Sequence, residues 1–172
     1  MCHLMKVIYR RLTILAKNLK TNVMRILSQQ KVHYGIHQYL GKDVQSGAEV
    51  AGKMGVDPER MFKTLVTQGK SGQHYVFMIP VEKELDLKKA AQAVDEKSVA
   101  MIKEKELLPL TGYVHGGCSP IGMKKQLTTT IDTAANHYET ILFSAGKRGY
   151  SVEIAVKDLE NMIPLKIETI SM

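Results

Sequence analysis

Three short stretches of this chain combine residue types whose spacing suits chemistry. The first is Thr111-Gly-Tyr-Val-His-Gly-Gly-Cys-Ser-Pro-Ile-Gly122. Its glycines at 112, 116, 117 and 122 lack the Cβ that keeps a ligand off the backbone, and Pro120 stiffens the turn. Bare amides in such a loop can donate to a phosphate or to a developing oxyanion. The same composition also suits a structural turn between two strands. The second stretch is Ser144-Ala-Gly-Lys-Arg-Gly149. Gly146 and Gly149 permit a tight turn with Lys147-Arg148 at its tip, and a solvated hairpin turn would read the same way. The third is Phe62-Lys63-Thr64-Leu65. In a strand, Lys63 shares a face with Leu65, opposite Phe62 and Thr64. Such a lysine either guards a sheet edge against pairing or points into a cleft as a point charge for phosphate.

Other chemistries fit less well. Glycines 112, 116 and 117 do not match a dinucleotide fingerprint, and there is no P-loop. His33-x-x-x-His37 has the ligand spacing of a helix, but it lies in a run that reads as a strand and has no third ligand nearby. His115-x-x-Cys118 supplies two ligands only, so no metal is expected. Cys118 as a nucleophile would need His115 or His137 as its base; the other reading is a small buried residue. The ten methionines are dispersed and read as core filler.

Local signals give the elements that must position these stretches. Thr21-Asn22 can cap a helix with Val23, Ile26 and Leu27 on one face. Residues 32–39 are rich in strand formers. Ser46-x-x-Glu49 is a capping box for a short helix over 48–54, ended by Gly55, and Asp57-Pro58 starts another turn. Residues 61–68 and 74–80, joined by a turn at 69–72, form the clearest hairpin. Asp86 caps a helix over 87–93. A short strand at 99–102 and a helix over 104–108, ended by Pro109, follow. Strands then fall at 127–131, 140–144, 151–156 and 166–170. Asp132 caps a helical turn after the first of these, and a helix covers 157–162. Without regular βαβ alternation, this order predicts an α/β single domain with a mixed, partly closed, barrel-like sheet surrounded by short helices.

Composition sets the outer bounds. A length of 172 residues, 44% apolar and 24% charged, suits one globular domain. Cys2 and Cys118 make no disulfide framework, which points to a reducing cytoplasm. No apolar run reaches the roughly 18–20 residues of a membrane helix. Residues 4–19 are broken by Lys6, Arg10, Arg11 and Lys17 and lack a signal-peptide pattern, so no membrane association is expected. The net charge of +7 is concentrated at the start. Lys6, Arg10, Arg11, Lys17 and Lys20 account for five of the 24 basic residues, leaving 19 against 17 acidic ones. Residues 1–18 therefore read as a basic extension, helical or disordered, ahead of a domain over 19–172.

Taken together, the motifs resemble the YbaK/EbsC family of aminoacyl-tRNA deacylases, which is related to the editing domain of bacterial prolyl-tRNA synthetase. The resemblance begins at Lys20-Thr-Asn-Val-Met-Arg-Ile-Leu27 and runs to the C-terminus. It rests on four motifs in order. These are Phe62-Lys63-Thr64-Leu65, Asp86-Leu-Lys-Lys-Ala-Ala91, the glycine-rich stretch from Thr111 to Gly122, and Gly146-Lys-Arg-Gly-Tyr-Ser-Val-Glu-Ile154. The long Thr-Gly-Tyr…Ser-Pro-Ile-Gly form is similar to the free-standing cysteine-clearing subgroup.

The resemblance implies an enzyme that removes cysteine from mischarged Cys-tRNA(Pro), with prolyl-tRNA synthetase as a partner and no cofactor. It also implies that the substrate's own thiol attacks the ester carbonyl and leaves as a cyclic thiolactone, while the protein positions the substrate. In this correspondence Lys63, Gly116 and Gly117 form the catalytic set, the lysine near the terminal adenosine and the glycine amides at the carbonyl. Tyr39, Ser46, Ser119, Pro120, Ser144, Gly146 and Ser151 form the substrate-binding set, with Ser119-Pro120 holding the loop. Three positions depart from the family. Ser46 stands at a pocket phenylalanine, Ser151 at an aspartate, and Cys118 where isoleucine is common. Two other readings stay open: a deacylase for Ala- or Ser-tRNA, and a non-catalytic adaptor binding tRNA or the synthetase.

Overall fold

The computed structural model describes residues 20–39 and 46–172; the expected extension over 1–18 lies outside the described residues. Two β-sheets and five α-helices make up the described residues. The organising unit is the hairpin of β2 (Phe62–Gly69) and β3 (His74–Pro80), paired antiparallel from Phe62 with Pro80 to Gln68 with His74. From Tyr75 onward every residue of β3 is buried. Its alternation sends Val76 and Met78 into one hydrophobic cluster and Tyr75, Phe77 and Ile79 into another. A strand buried on both faces belongs at the centre of a sheet, and β3 sits there. The order is β4 (Val99–Met101), β2, β3, β5 (Thr129–Asp132), β8 (Leu165–Glu168), with the β3–β5 and β5–β8 pairs parallel.

The second sheet is antiparallel, in the order β1 (Gly35–Gln38), β7 (Tyr150–Ala155), β6 (Thr140–Ser144). A single parallel bridge from Leu142 to Met61 joins it to the foot of β2. Between the sheets the fold leaves a gap. β4 pairs only with Thr67, Gln68 and Gly69, so the first half of β2 has no further strand on that side.

Helices close the structure where the caps predict. Thr21 Oγ1 accepts from Met24 N at the start of α1 (Asn22–Gln29), which buries Val23, Met24 and Leu27. Ser46 caps α2 (Gly47–Met54), ended by left-handed Gly55. Asp86 Oδ1 accepts from Lys88 N and Lys89 N at α3 (Leu87–Ala93). α5 (Val156–Met162) follows β7 directly.

Two expectations change. Pro109 does not end its helix, because α4 runs from Glu104 to Thr111 with Pro109 inside. Proline removes one i→i−4 bond there. Pro109 and Lys105 are both exposed, so the break in the bonding falls on the solvent side of the helix. The helix then closes through Thr111 Oγ1 donating to Leu107 O and Gly112 N donating to Leu108 O. The strand expected over 32–39 is only four residues long, because β7 offers partners to Gly35–Gln38 alone.

Candidate active site

The gap beside β2 is a cavity of about 830 Å³. The first half of β2, His115, Gly116 and Cys118 of the glycine-rich loop, the ends of β1, β6 and β7 and the start of α2 line it. Lys63 is the second residue of β2, half-buried, and paired across the hairpin with Ile79. It sits on the half of the strand that β4 does not pair, and it lines the cavity. Its ammonium meets no ion-pair or hydrogen-bond partner among the described residues. Beside it, the Thr64 hydroxyl is buried without a partner.

The glycine-rich stretch is an irregular loop built on Tyr113. That ring is 7% exposed, and its hydroxyl donates to Ile121 O at 2.6 Å. Burial is the main cause that pushes the Tyr113 pKa up. Residues 114–117 form a β-turn closed by Gly117 N donating to Val114 O at 3.0 Å, with Gly116 at its third position and φ +81°. Negative φ at His115 followed by +81° at Gly116 makes this a type II turn, a conformation that favours glycine. Gly116 lines the cavity, and its N–H meets no acceptor among the described residues.

Six of the ten expected site residues line this one cavity: Lys63, Gly116, Tyr39, Ser46, Ser144 and Ser151. Ser144 and Ser151 are register partners on β6 and β7. Ser144 Oγ accepts from Gly146 N, and Ser46 Oγ caps α2 by accepting from Glu49 N. Four do not line it. Gly117 is buried and its amide is already engaged in the turn; a Cβ there would sit 3.3 Å from Arg148 N. Ser119 is fully buried and its Oγ accepts from Ile121 N; Pro120 is buried next to it. At Gly146, a Cβ would come within 2.9 Å of the Tyr113 ring. These four pack against neighbouring protein atoms outside the cavity lining.

The cavity also holds residues that the sequence did not single out as binding groups. Arg148, noted only as charge at a turn tip, lines it and donates from Nε to His115 O at 2.7 Å. Gln38 Nε2 donates to Tyr150 Oη at 3.1 Å, and Lys147 Nζ lies 5.7 Å from the Tyr150 ring centroid. The signal for Arg148 was its place beside Gly149, whose φ of +89° turns the chain back toward the loop.

Cys118 is 7% exposed, and burial pushes its thiol up to about 12. A thiol held neutral in this way is no nucleophile. His137 lies exposed on the 3₁₀ turn Thr133–His137, outside the cavity lining. His37 bonds Glu153, whose carboxylate also takes Arg60 and Thr140. Burial opposes ionisation of Glu153, but the bonds from Thr140, His37 and Arg60 outweigh it and hold its pKa low. Among the described residues no group of three His, Cys, Asp or Glu is placed to hold a metal, and no helix is long and apolar enough to cross a membrane. No carboxylate stands among the described residues lining the cavity, so Lys63 and Arg148 give it a positive character suited to an anionic ligand.

The family profile of the aminoacyl-tRNA editing domain matches residues 42–162, which contain the first half of β2 and both glycine turns of this cavity. The chain belongs to the aminoacyl-tRNA editing-domain family. It is 47% identical over 137 residues to EbsC of Enterococcus faecalis, a protein whose name proposes a Cys-tRNA(Pro)/Cys-tRNA(Cys) deacylase. That match covers 79% of this chain and 84% of EbsC. It is 26% identical over 106 residues to a proline–tRNA ligase of Pelobacter propionicus, covering 62% of this chain but 18% of that protein. Among solved structures, one described as a proposed trans-editing enzyme for prolyl-tRNA synthetase superposes with a TM-score of 0.77 at 21% identity. It covers 90% of this chain and 99% of that one, so this editing domain shares its fold.

Proposed function

We propose that this editing domain removes cysteine from mischarged Cys-tRNA(Pro) in the cytoplasm, with prolyl-tRNA synthetase supplying the charged tRNA. One observation carries the reading: the Lys63 ammonium and the Gly116 amide of the 114–117 turn share one cavity, neither with a partner among the described residues, and no described carboxylate lines it. Lys63 holds a phosphate of the acceptor end as a point charge. The Gly116 N–H donates to the carbonyl oxygen as negative charge builds there.

Burial pushes the Cys118 thiol up to about 12, which disfavours it as the nucleophile. In this reading the substrate's own thiol is the nucleophile. Its sulfur bonds to the carbonyl carbon, the ester C–O bond breaks, and the thiol proton ends on the departing ribose oxygen. The cyclic thiolactone leaves. The protein supplies orientation, which alone lowers such barriers substantially. The likeness to EbsC supports cysteine as the amino acid.

Incubating the protein with tRNA(Pro) charged with cysteine, alanine, serine or proline tests this. The expected result is rapid loss of cysteine alone, with a trapped thiolactone and with turnover abolished in Lys63→Ala. Preferential release of alanine or serine would transfer the activity to another mischarged tRNA. Binding without release of any amino acid would make the domain an adaptor. Normal turnover by Lys63→Ala would remove the site assignment.

A further inference from the structure

Two glycine turns stack against each other at the cavity rim. One is the 114–117 turn; the other spans 147–150, closed by Tyr150 N donating to Lys147 O, with Gly149 at its third position and φ +89°. The contact is close. A Cβ on Gly117 would lie 3.3 Å from Arg148 N, and one on Gly116 would lie 3.1 Å from Arg148 Nε. Across this contact Arg148 Nε donates to His115 O at 2.7 Å.

That carbonyl has a particular partner. His115 C=O and Gly116 N–H belong to one peptide unit, and in a trans peptide the two point to opposite sides. Types I and II of a β-turn differ mainly by a flip of this central unit. Holding the carbonyl therefore fixes the direction of the N–H. We propose that Arg148 is a positioning residue: its Nε bond to His115 O locks the 115–116 peptide so that the Gly116 N–H stays free for the substrate carbonyl. Its effect on turnover rests on the deacylase reading above; its effect on the turn does not.

Two substitutions separate this role from simple phosphate binding. Arg148→Ala removes the bond. Arg148→Gln keeps an N–H donor the same number of bonds from Cα as Nε and discards the charge. Arg148 is exposed, so both variants are expected to fold, which their amide spectra check. With Cys-tRNA(Pro), Arg148→Ala is expected to lower kcat about 10- to 100-fold with KM within about twofold, and Arg148→Gln to recover kcat to within about threefold. Raised KM with normal kcat in both variants would make Arg148 a phosphate contact and overturn the proposal. Equal loss of kcat in both would assign the effect to charge and overturn it as well.

Amide relaxation dispersion at Gly116 and Gly117 gives a readout independent of activity. Exchange appearing in Arg148→Ala but absent from wild type and Arg148→Gln is expected. Flat profiles in all three would overturn the clamp. If the wild type releases no amino acid from any charged tRNA, the deacylase reading fails while the dispersion result still decides the role of Arg148.

Discussion

A side chain at position 116 would face two demands together: a φ of +81° and an Arg148 Nε only 3.1 Å from its Cβ. Left-handed backbone costs an L-residue about 1–2 kcal/mol. The alanine variant has two ways out. It can keep the turn at that cost and push Arg148 off His115 O, or it can flip the central peptide. Either route moves the Gly116 N–H or loosens its anchor. Gly116→Ala is therefore expected to lose about 1–2 kcal/mol of stability in urea unfolding and at least about tenfold in kcat. The neighbouring Gly117→Ala should behave differently, as a packing variant, because that amide is spent on Val114 O. Wild-type turnover by Gly116→Ala would mean that the amide takes no part in the reaction.

The β5 strand ends in a residue that ties three segments together. Asp132 is 4% exposed; its Oδ1 accepts from Ile170 N and Ser171 N, and its Oδ2 from Ala134 N. Burial opposes its ionisation, yet the amides of Ile170, Ala134 and Ser171 outweigh burial and hold its pKa below the ordinary carboxylate value. Because the folded value lies below the unfolded one, this stabilisation is complete above the unfolded pKa and disappears as pH falls through the folded pKa. In Asp132→Asn one amide N–H₂ must face the Ala134 N–H. The variant is expected to lose about 1–3 kcal/mol at neutral pH, measured by urea unfolding, with the gap to wild type closing in acid. A gap independent of pH would show that the charge on Asp132 is irrelevant. At this scale the caps were readable: Thr21, Ser46, Asp86 and Asp132 each start the helix or turn expected of them. The β2–β3 hairpin was readable too, since its pairing is local. The parallel β3–β5–β8 pairing was not, because its partners lie far apart along the chain. Nor did the four loop glycines divide themselves. Gly116 faces the cavity and Gly122 makes room for the Tyr113 hydroxyl, a distinction set by neighbours about which local sequence says nothing.

Across the whole molecule, positive charge is unevenly placed. The full chain carries +7, but Lys6, Arg10, Arg11, Lys17 and Lys20 supply five of those charges without one acidic residue among them. Beyond Lys20 the balance is 19 basic to 17 acidic residues, and among the described residues Lys63 and Arg148 are the lysine and arginine that line the cavity. Of these only Lys63 is assigned to a phosphate, and one such contact gives a shallow salt dependence, a log–log slope of about −0.7 to −0.9. Five further contacts would add about −4. Replacing the five early cations by glutamine is therefore expected to weaken tRNA binding and flatten its salt slope, leaving kcat at saturating Cys-tRNA(Pro) unchanged. Fluorescence anisotropy with labelled tRNA between 50 and 200 mM salt measures both affinity and slope. The weak remaining affinity would then leave choice of tRNA to a partner that already holds it, and adding prolyl-tRNA synthetase should restore turnover at low substrate. Tight, tRNA(Pro)-selective binding by the neutralised variant alone would refute this division of labour, since a single lysine gripping a phosphate cannot distinguish one acceptor stem from another.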